Sequence, residues 1–484
     1  MTEEQHMGVE HPGKPFSLIF CVEMWERFGY YGLQALLVVF LSSYLGFSDT
    51  KSNILFGAFA ALVYAFISVG GYIGDKVLGT KRTMFMGAVV LAIGYGLLGF
   101  NPDNMLYIAL GFIIAGNMLF KANPSSLVAK LYKSNDPRID GAFTIYYMAI
   151  NIGSFISMLL CPIIKEHWGW SAAFWVCCAG LVIACLNYII FQSILKDVGS
   201  EPDFKKFPVI KFIYVIIITL VVAFVSAWLL EHLLMAYLLL GVAFVVVIIL
   251  LIKILMQCET SKERTNLLIC IILIAQAIIF FILYQQMPTS LNFFAMRNVE
   301  HYVFGIPLQG ESFQTLNPFW ILIASPLLAW FYTKMGKKGK DFCLPTKFAF
   351  GMFLCSLGFL TIPFAVSFFA GANSKINGNW LVIVYGFQSI GELLISGLGL
   401  AMVTKLVPKK IVGFMMGVWF MSSAIAMALG GLVATLASVP KDSVGDPSIS
   451  LGIYSDLFLK LGITAMIISI IMFLFVPKLK KYIT

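Results

Sequence analysis

Three ionisable residues stand within two helical turns of an apolar segment, in Glu23-Met-Trp-Glu26-Arg27. A charge at mid-bilayer costs about 2.5–3.5 kcal/mol on insertion scales, so three facing lipid would cost about 8 kcal/mol or more. Positions 23, 26, 27, 30 and 34 share one helix face, and Glu23 and Arg27 form an i,i+4 pair in the favoured orientation. That face is expected to look into a wet cavity. An arginine keeps its charge, while a carboxylate beside it gains or loses a proton as water access changes. Two carboxylates and one arginine can therefore couple proton occupancy to an anionic ligand. A static ion pair stitching helices together is the plainer account, but it leaves the second acid unexplained.

Two further charges interrupt apolar runs. Lys121 lies in Gly116-Asn-Met-Leu-Phe-Lys121-Ala-Asn123-Pro124, and Glu392 lies in Ser389-Ile-Gly391-Glu392. Each lacks a partner in its own segment. They fall in opposite halves of the chain, so they can bridge as a gate when a central cavity closes and part for a ligand. A permanent interhelical bridge is the alternative. Asn151 and Asn317 are interior amides, which commonly tie membrane helices together. Phe280, Phe281 and Trp419 read as packing. None of the nine cysteines forms a C-x-x-C pair, and small buried hydrophobes are expected there. The five histidines sit in tails or loops, from His6 to His301. No metal cluster, G-x-S-x-G or P-loop is present, so a membrane enzyme has little support and no cofactor is expected beyond a proton as coupling ion.

The elements that hold these residues must lie in lipid. Of 484 residues, 60% are apolar or aromatic and 12% are charged, half the charged share of a soluble domain. A soluble enzyme, a nucleic-acid module and a disordered chain are excluded as leading readings. Fourteen apolar segments reach spanning length: 17–45, 52–75, 83–100, 105–129, 141–164, 172–195, 208–230, 233–256, 266–288, 317–333, 348–370, 379–404, 411–437 and 453–477. The first follows a short polar stretch with no cleavage pattern, so a retained helix is expected.

An even count puts both termini on one side. Alternating the loops then places 25 of the 33 bases on the side of the termini and six on the other, with Arg27 and Lys121 inside helices. That asymmetry predicts cytoplasmic termini and explains the net charge of +9 without nucleic acid. The polar run Lys196–Phe207 precedes two very apolar segments with almost no interior polar groups. The chain thus divides into a six-helix bundle (1–198), a structural two-helix insert with linkers (199–264) and a second six-helix bundle (265–484).

Gly71-Tyr-Ile-Gly74-Asp75-Lys76-Val-Leu-Gly79-Thr-Lys81-Arg82 resembles the G-x-x-x-D-[RK]…G-x-[RK]-[RK] loop of the major facilitator superfamily. The stretch Lys334-Met-Gly336-Lys337-Lys338 is a weak basic echo in the second half. Glu23-x-x-Glu26-Arg27-Phe-x-Tyr30-Tyr31-Gly32 resembles the E-x-x-E-R-F-x-Y-Y-G signature of proton-dependent oligopeptide transporters. Phe120-Lys121-Ala-Asn123-Pro124, Asp140-Gly-Ala-Phe-Thr-Ile-Tyr146-Tyr147-Met, Tyr284-Gln-Gln-Met-Pro288 and Gly391-Glu392-Leu-Leu-Ile-Ser resemble the bacterial dipeptide and tripeptide permeases of that family. The fold implied is an all-α polytopic membrane protein, a major facilitator fold of two six-helix bundles plus two inserted helices.

The resemblance also implies a substrate: dipeptides and tripeptides bound as zwitterions between the halves, with peptide-like drugs as further candidates. Arg27 and Lys121 would attract the peptide carboxylate, and Glu392 with Asn317 would hold the amine. Asn151 would bond the peptide backbone, with Tyr30, Tyr64 and Tyr147 lining the pocket. Glu23 and Glu26 would carry or relay the proton, with Arg27 and Glu392 sharing in the coupling. Two departures stand out: Gln34 replaces an arginine and Tyr284 an acid that pair as an outer gate in many relatives. Losing both leaves no orphan charge and shifts the proton load to Glu23, Glu26 and Glu392. A monomer in the bacterial inner membrane is expected. A carrier of nitrate or another organic anion is the competing reading, but it needs no site for an amine.

Overall fold

The computed structural model describes residues 11–483 except 134, 135, 137, 259 and 339–341. His6 lies outside the described residues. The chain is helical almost throughout: α1 (Gly13–Val39), α2 (Asp49–Ala65), α3 (Ile67–Tyr72), α4 (Thr80–Phe100), α5 (Leu106–Phe120), α6 (Asn123–Lys130) and α7 (Ile139–Phe191) come first. Then follow α8 (Val209–Glu231), α9 (Leu233–Met256), α10 (Ser261–Tyr284), α11 (Ser290–Asn298), α12 (Leu316–Lys337) and α13 (Leu344–Phe369). The last four are α14 (Asn379–Ile395), α15 (Gly399–Leu406), α16 (Val412–Ala434) and α17 (Pro447–Ile483). A two-stranded hairpin, β1 (Tyr302–Val303) against β2 (Ile306–Pro307), sits between α11 and α12.

Among the described residues, twelve stretches are long and apolar enough to cross a membrane. One of them, Gly141–Leu195, is two spans joined at Gly169, whose φ of 84° bends the chain where a side chain would be strained. The first helix is not among the twelve because of its three charges, yet its 27 residues suffice. Together these recover the fourteen spans. Two expected single spans are broken: 105–129 at Lys121-Ala122, and 379–404 at a 3₁₀ turn over Ser396–Leu398.

The chain forms two compact units, Met1–Leu36 with Leu62–His232, and Leu37–Ala61 with Leu233–Thr484. These limits differ from the boundaries at 198/199 and 264/265, because the insert does not stand alone. In the first unit α8 packs on α5 so closely that a Cβ on Gly111 would lie 2.2 Å from the Ala223 carbonyl oxygen. In the second, Tyr237 of α9 donates to the carbonyls of Ile54 and Ala428, both at 3.1 Å.

The glycine-rich loop before α4 has a structural task. Gly79 adopts φ 111°, and Asp203 fills the space where its Cβ would stand. Asp203 accepts from the backbone N–H groups of Ser200 and Lys81, at 2.9 and 3.2 Å. Ser200 Oγ accepts from the Thr80 N–H at 3.0 Å. The polar run Lys196–Phe207, read from sequence as a connection, is thus an ordered strap that caps α4. Asp75 pairs with Lys130 at 2.7 Å.

In the second unit Arg297 grips Asp49 through two bonds of 2.6 and 2.9 Å and donates to the Tyr454 hydroxyl at 2.8 Å. The cysteines carry no disulfide; five are buried and four partly buried, with Cys161 and Cys177 sulfurs 3.9 Å apart.

Candidate functional site

In the first unit α1 carries the charged face, and glycines bring its neighbours against it. A Cβ on Gly153 would lie 2.2 Å from the Met24 carbonyl oxygen, and one on Gly32 would lie 2.8 Å from both Cys161 and Cys177 sulfurs. Helix one is therefore clasped by both arms of α7 in place of lipid. Glu23, Glu26 and Arg27 are all buried. Arg27 Nε lies 2.9 Å from Glu23 Oε1 and 2.7 Å from Glu26 Oε2. One guanidinium thus faces two carboxylates, as the spacing suggests. The Glu23 contact is a hydrogen bond, and Glu26 Oε2 meets the same nitrogen as an ion pair.

Lys121 sits at the break between α5 and α6. Asn123 Nδ2 holds the Gly70 carbonyl at 3.4 Å, and Pro124 in the first turn of α6 has no N–H to continue α5. The Lys121 ammonium lies 3.6 Å from the centre of the Tyr64 ring and 5.7 Å from that of Tyr30. Arg27 is also 5.7 Å from the Tyr30 ring. Tyr30 thus stands between the two cations, and Tyr30 and Tyr31 meet edge to face at 5.4 Å. Such rings neutralise none of the charge, so Lys121 keeps a full positive charge beside them. Asn151 donates to the carbonyl of Tyr147 one turn earlier, at 2.8 Å, which leaves its amide oxygen as the free polar end. Tyr146, absent from the expected set, interacts with Glu23; its place beside Tyr147 in a tandem pair was the available signal.

In the second unit α12 and α14 bring Asn317 and Glu392 together. Asn317 Nδ2 donates to Glu392 Oε2 at 2.9 Å and lies 3.0 Å from Ser389 Oγ. Ser389 returns a bond to the Asn317 carbonyl at 3.3 Å. All three are buried. Ser389 was not among the expected residues, although it stands three positions before Glu392 on one helix face. The amide fixes the carboxylate and adds no positive charge to it. Lys121 and Glu392, expected as a gate, belong to different units.

Two other motif residues pack helices. Gln286 donates to the carbonyls of Ile282 and Gly430 at 3.0 and 3.1 Å, and Gly430 lies flat on Gln285. Phe281 and Trp419 meet edge to face at 6.0 Å, as packing predicts. Among the described residues no group of three or more His, Cys, Asp or Glu side chains could hold a metal.

The POT family model matches residues 81–449, a range that begins after helix one. Full-length relatives include the helix. Dipeptide and tripeptide permease B of Shigella dysenteriae serotype 1 (strain Sd197) is 49% identical over 486 residues, covering 100% of this chain and 99% of the relative. The protein of the same name from Aliivibrio fischeri (strain MJ11) is 49% identical over 484 residues, covering 99% and 97%. Among solved structures, tetrameric PepTSo2 superposes with a TM-score of 0.87 at 40% identity, over 97% of this chain and 99% of that one. A bacterial homologue of the human drug peptide transporters PepT1 and PepT2 gives 0.86 at 41% identity, over 98% and 99%. With a family model matching most of its length and curated relatives aligned from end to end, this multi-pass membrane protein belongs to the POT family.

Proposed function

We propose that the protein is a proton-coupled symporter that imports dipeptides and tripeptides by alternating access. It is a transporter and not an enzyme. The relatives are named for dipeptides and tripeptides, and a solved structure 40% identical is described among proton dependent oligopeptide transporters. The observation that carries the coupling is the buried set Glu23, Glu26, Arg27 and Lys121 in one unit.

With both acids ionised that set is neutral. A peptide carboxylate taken up by Arg27 and Lys121 makes it net negative in a poorly screened site. One proton on Glu26 or Glu23 restores neutrality, so carboxylate and proton favour each other's binding. Tyr30, Tyr64 and Tyr147 line this pocket, and Asn151 offers its amide oxygen to the peptide N–H. Glu392, held by Asn317, which Ser389 in turn supports, takes the peptide amine. Lys121 and Glu392 also act as a gate, attracting one another when no ligand separates them. Clamps on the two termini leave side chains unread, which admits varied peptides and peptide-like drugs. Nitrate would leave Glu392 without a task.

No cofactor is needed; the proton is the coupling ion. The single chain is proposed as the transporting unit; the tetramer is a property of PepTSo2. The basic loops set the protein in the bacterial inner membrane with both termini in the cytoplasm.

The test is uptake of labelled dialanine into proteoliposomes with and without an inward proton gradient. Gradient-dependent accumulation competed by tripeptides and not by free amino acids is the expected result. No uptake by folded protein under any gradient overturns the reading.

A further inference from the structure

The first unit carries a cavity of about 600 Å³ that lies away from the charged face of α1 and is walled by α4, α8 and the end of α7. Its walls are apolar: Phe85, Met86, Val89, Phe112, Ile216 and Leu220. Val89 and Leu220 are partly exposed on the surface that faces lipid, so the cavity opens sideways into the membrane. At one end it meets Arg82, Gln192 and Phe207, beside the strap that caps α4.

Bases outnumber acids at that end. Arg82 donates to the carbonyls of Pro202 and Lys205 at 3.0 and 2.9 Å, and among the described residues no carboxylate forms an ion pair with it. Lys81 donates to the Leu195 carbonyl at 2.8 Å. Of the nearby acids, Asp203 holds backbone N–H groups and acts on Lys81, and Glu201 pairs with Lys205. Lys206 and Lys211 are exposed and adjoin in sequence Phe207 and Phe212, which line the cavity, and Asp197 is the one remaining acid of the strap. Basic pockets between membrane helices on the cytoplasmic side suit anionic lipid headgroups.

We propose that this cavity is a binding site for an anionic phospholipid of the inner leaflet, with one acyl chain between α4 and α8 and the phosphate headgroup on the rim of Arg82, Lys206 and Lys211. The chain fills apolar space that water would not occupy. The headgroup adds negative charge to a rim where bases outnumber acids. The lipid would also brace α8, the inserted helix, against the bundle. The leaflet rests on the cytoplasmic placement of the basic loops.

The test is native mass spectrometry of the full-length protein titrated with phosphatidylglycerol or with phosphatidylcholine of the same chains. Each basic residue near the surface contributes about fivefold to binding an anionic lipid. Wild type should retain phosphatidylglycerol at least about tenfold more tightly than phosphatidylcholine. The double reversal Lys206→Glu with Lys211→Glu should bring phosphatidylglycerol down to the phosphatidylcholine level. Val89→Trp, which fills the cavity from an exposed position, should weaken both lipids while an unchanged thermal midpoint in detergent reports a folded protein. Equal retention of the two lipids by wild type overturns the headgroup site. Unchanged phosphatidylglycerol binding in Val89→Trp overturns the cavity. Lipid retention is read without transport, so neither result depends on the substrate assignment.

Discussion

Glu392→Gln isolates the proposed amine clamp. Glutamine keeps the size of the side chain and an oxygen that accepts from Asn317, now 2.9 Å from Glu392 Oε2. What it loses is the negative charge. A hydrogen bond to a charged group is worth about 1.5–3 kcal/mol, or about 10- to 150-fold in affinity. The assay is exchange in proteoliposomes, with dialanine and N-acetyl-dialanine as paired substrates, in wild type and variant. Acetylation removes the amine charge and Glu392→Gln removes its partner, so the four measurements form a cycle whose coupling term is the clamp. The variant should lose about 10- to 150-fold for dialanine and little for the acetylated peptide, which is already weak. A change in conformational balance would weaken both substrates alike and cancel in the cycle. An equal proportional loss for the two peptides refutes the role, and with it the account of why nitrate is excluded.

Three other outcomes follow from the geometry. Glu26→Gln or Glu23→Gln should abolish proton-driven accumulation and spare part of the exchange, read as gradient-driven uptake against counterflow; wild-type accumulation in both variants refutes the coupling set. Asp49→Asn removes the charge that Arg297 grips through two bonds and should cost about 1–3 kcal/mol, seen as a lower thermal midpoint in detergent; an unchanged midpoint shows that the pair contributes nothing net. Gly153→Ala places a methyl 2.2 Å from the Met24 carbonyl oxygen and should cost about 1–3 kcal/mol by overpacking, with a matching fall in thermal midpoint.

The spans were legible because each is a long apolar run bounded by basic or glycine-rich loops. The Glu23-Glu26-Arg27 cluster was legible because charge in such a run demands a partner at helical spacing. The pairing of Asn317 with Glu392 came from resemblance; positions 75 residues apart leave no trace in spacing. Ser389 and Tyr146 were missed because a hydroxyl costs too little in a helix to stand out beside a charge. The break at Lys121 was hidden by its apolar surroundings, although Pro124 pointed to it. The strap over Lys196–Phe207 was read as a loop because its order comes from Asp203 and Ser200 meeting backbone groups more than a hundred residues away. The division of the insert between the two units left no trace in sequence for the same reason: α8 and α9 are apolar all round, and such helices carry no mark of which neighbour they pack against.

Packing and electrostatics in the first unit depend on each other. Gly32 and Gly153 let both arms of α7 press on α1, which keeps lipid from Glu23, Glu26 and Arg27. The same closeness removes water, and each charge interaction strengthens as the dielectric falls. In such a place a net charge of one cannot be ignored, as it could at an exposed surface. In the proposed coupling, two ionised acids against Arg27 and Lys121 make a set that is neutral without ligand and is made neutral again by ligand plus proton. Replacing an arginine by Gln34 preserves that balance, since a third cation on this face would let a peptide carboxylate enter with no proton beside it. The departure at position 34 is therefore consistent with coupling through the helix-one acids themselves.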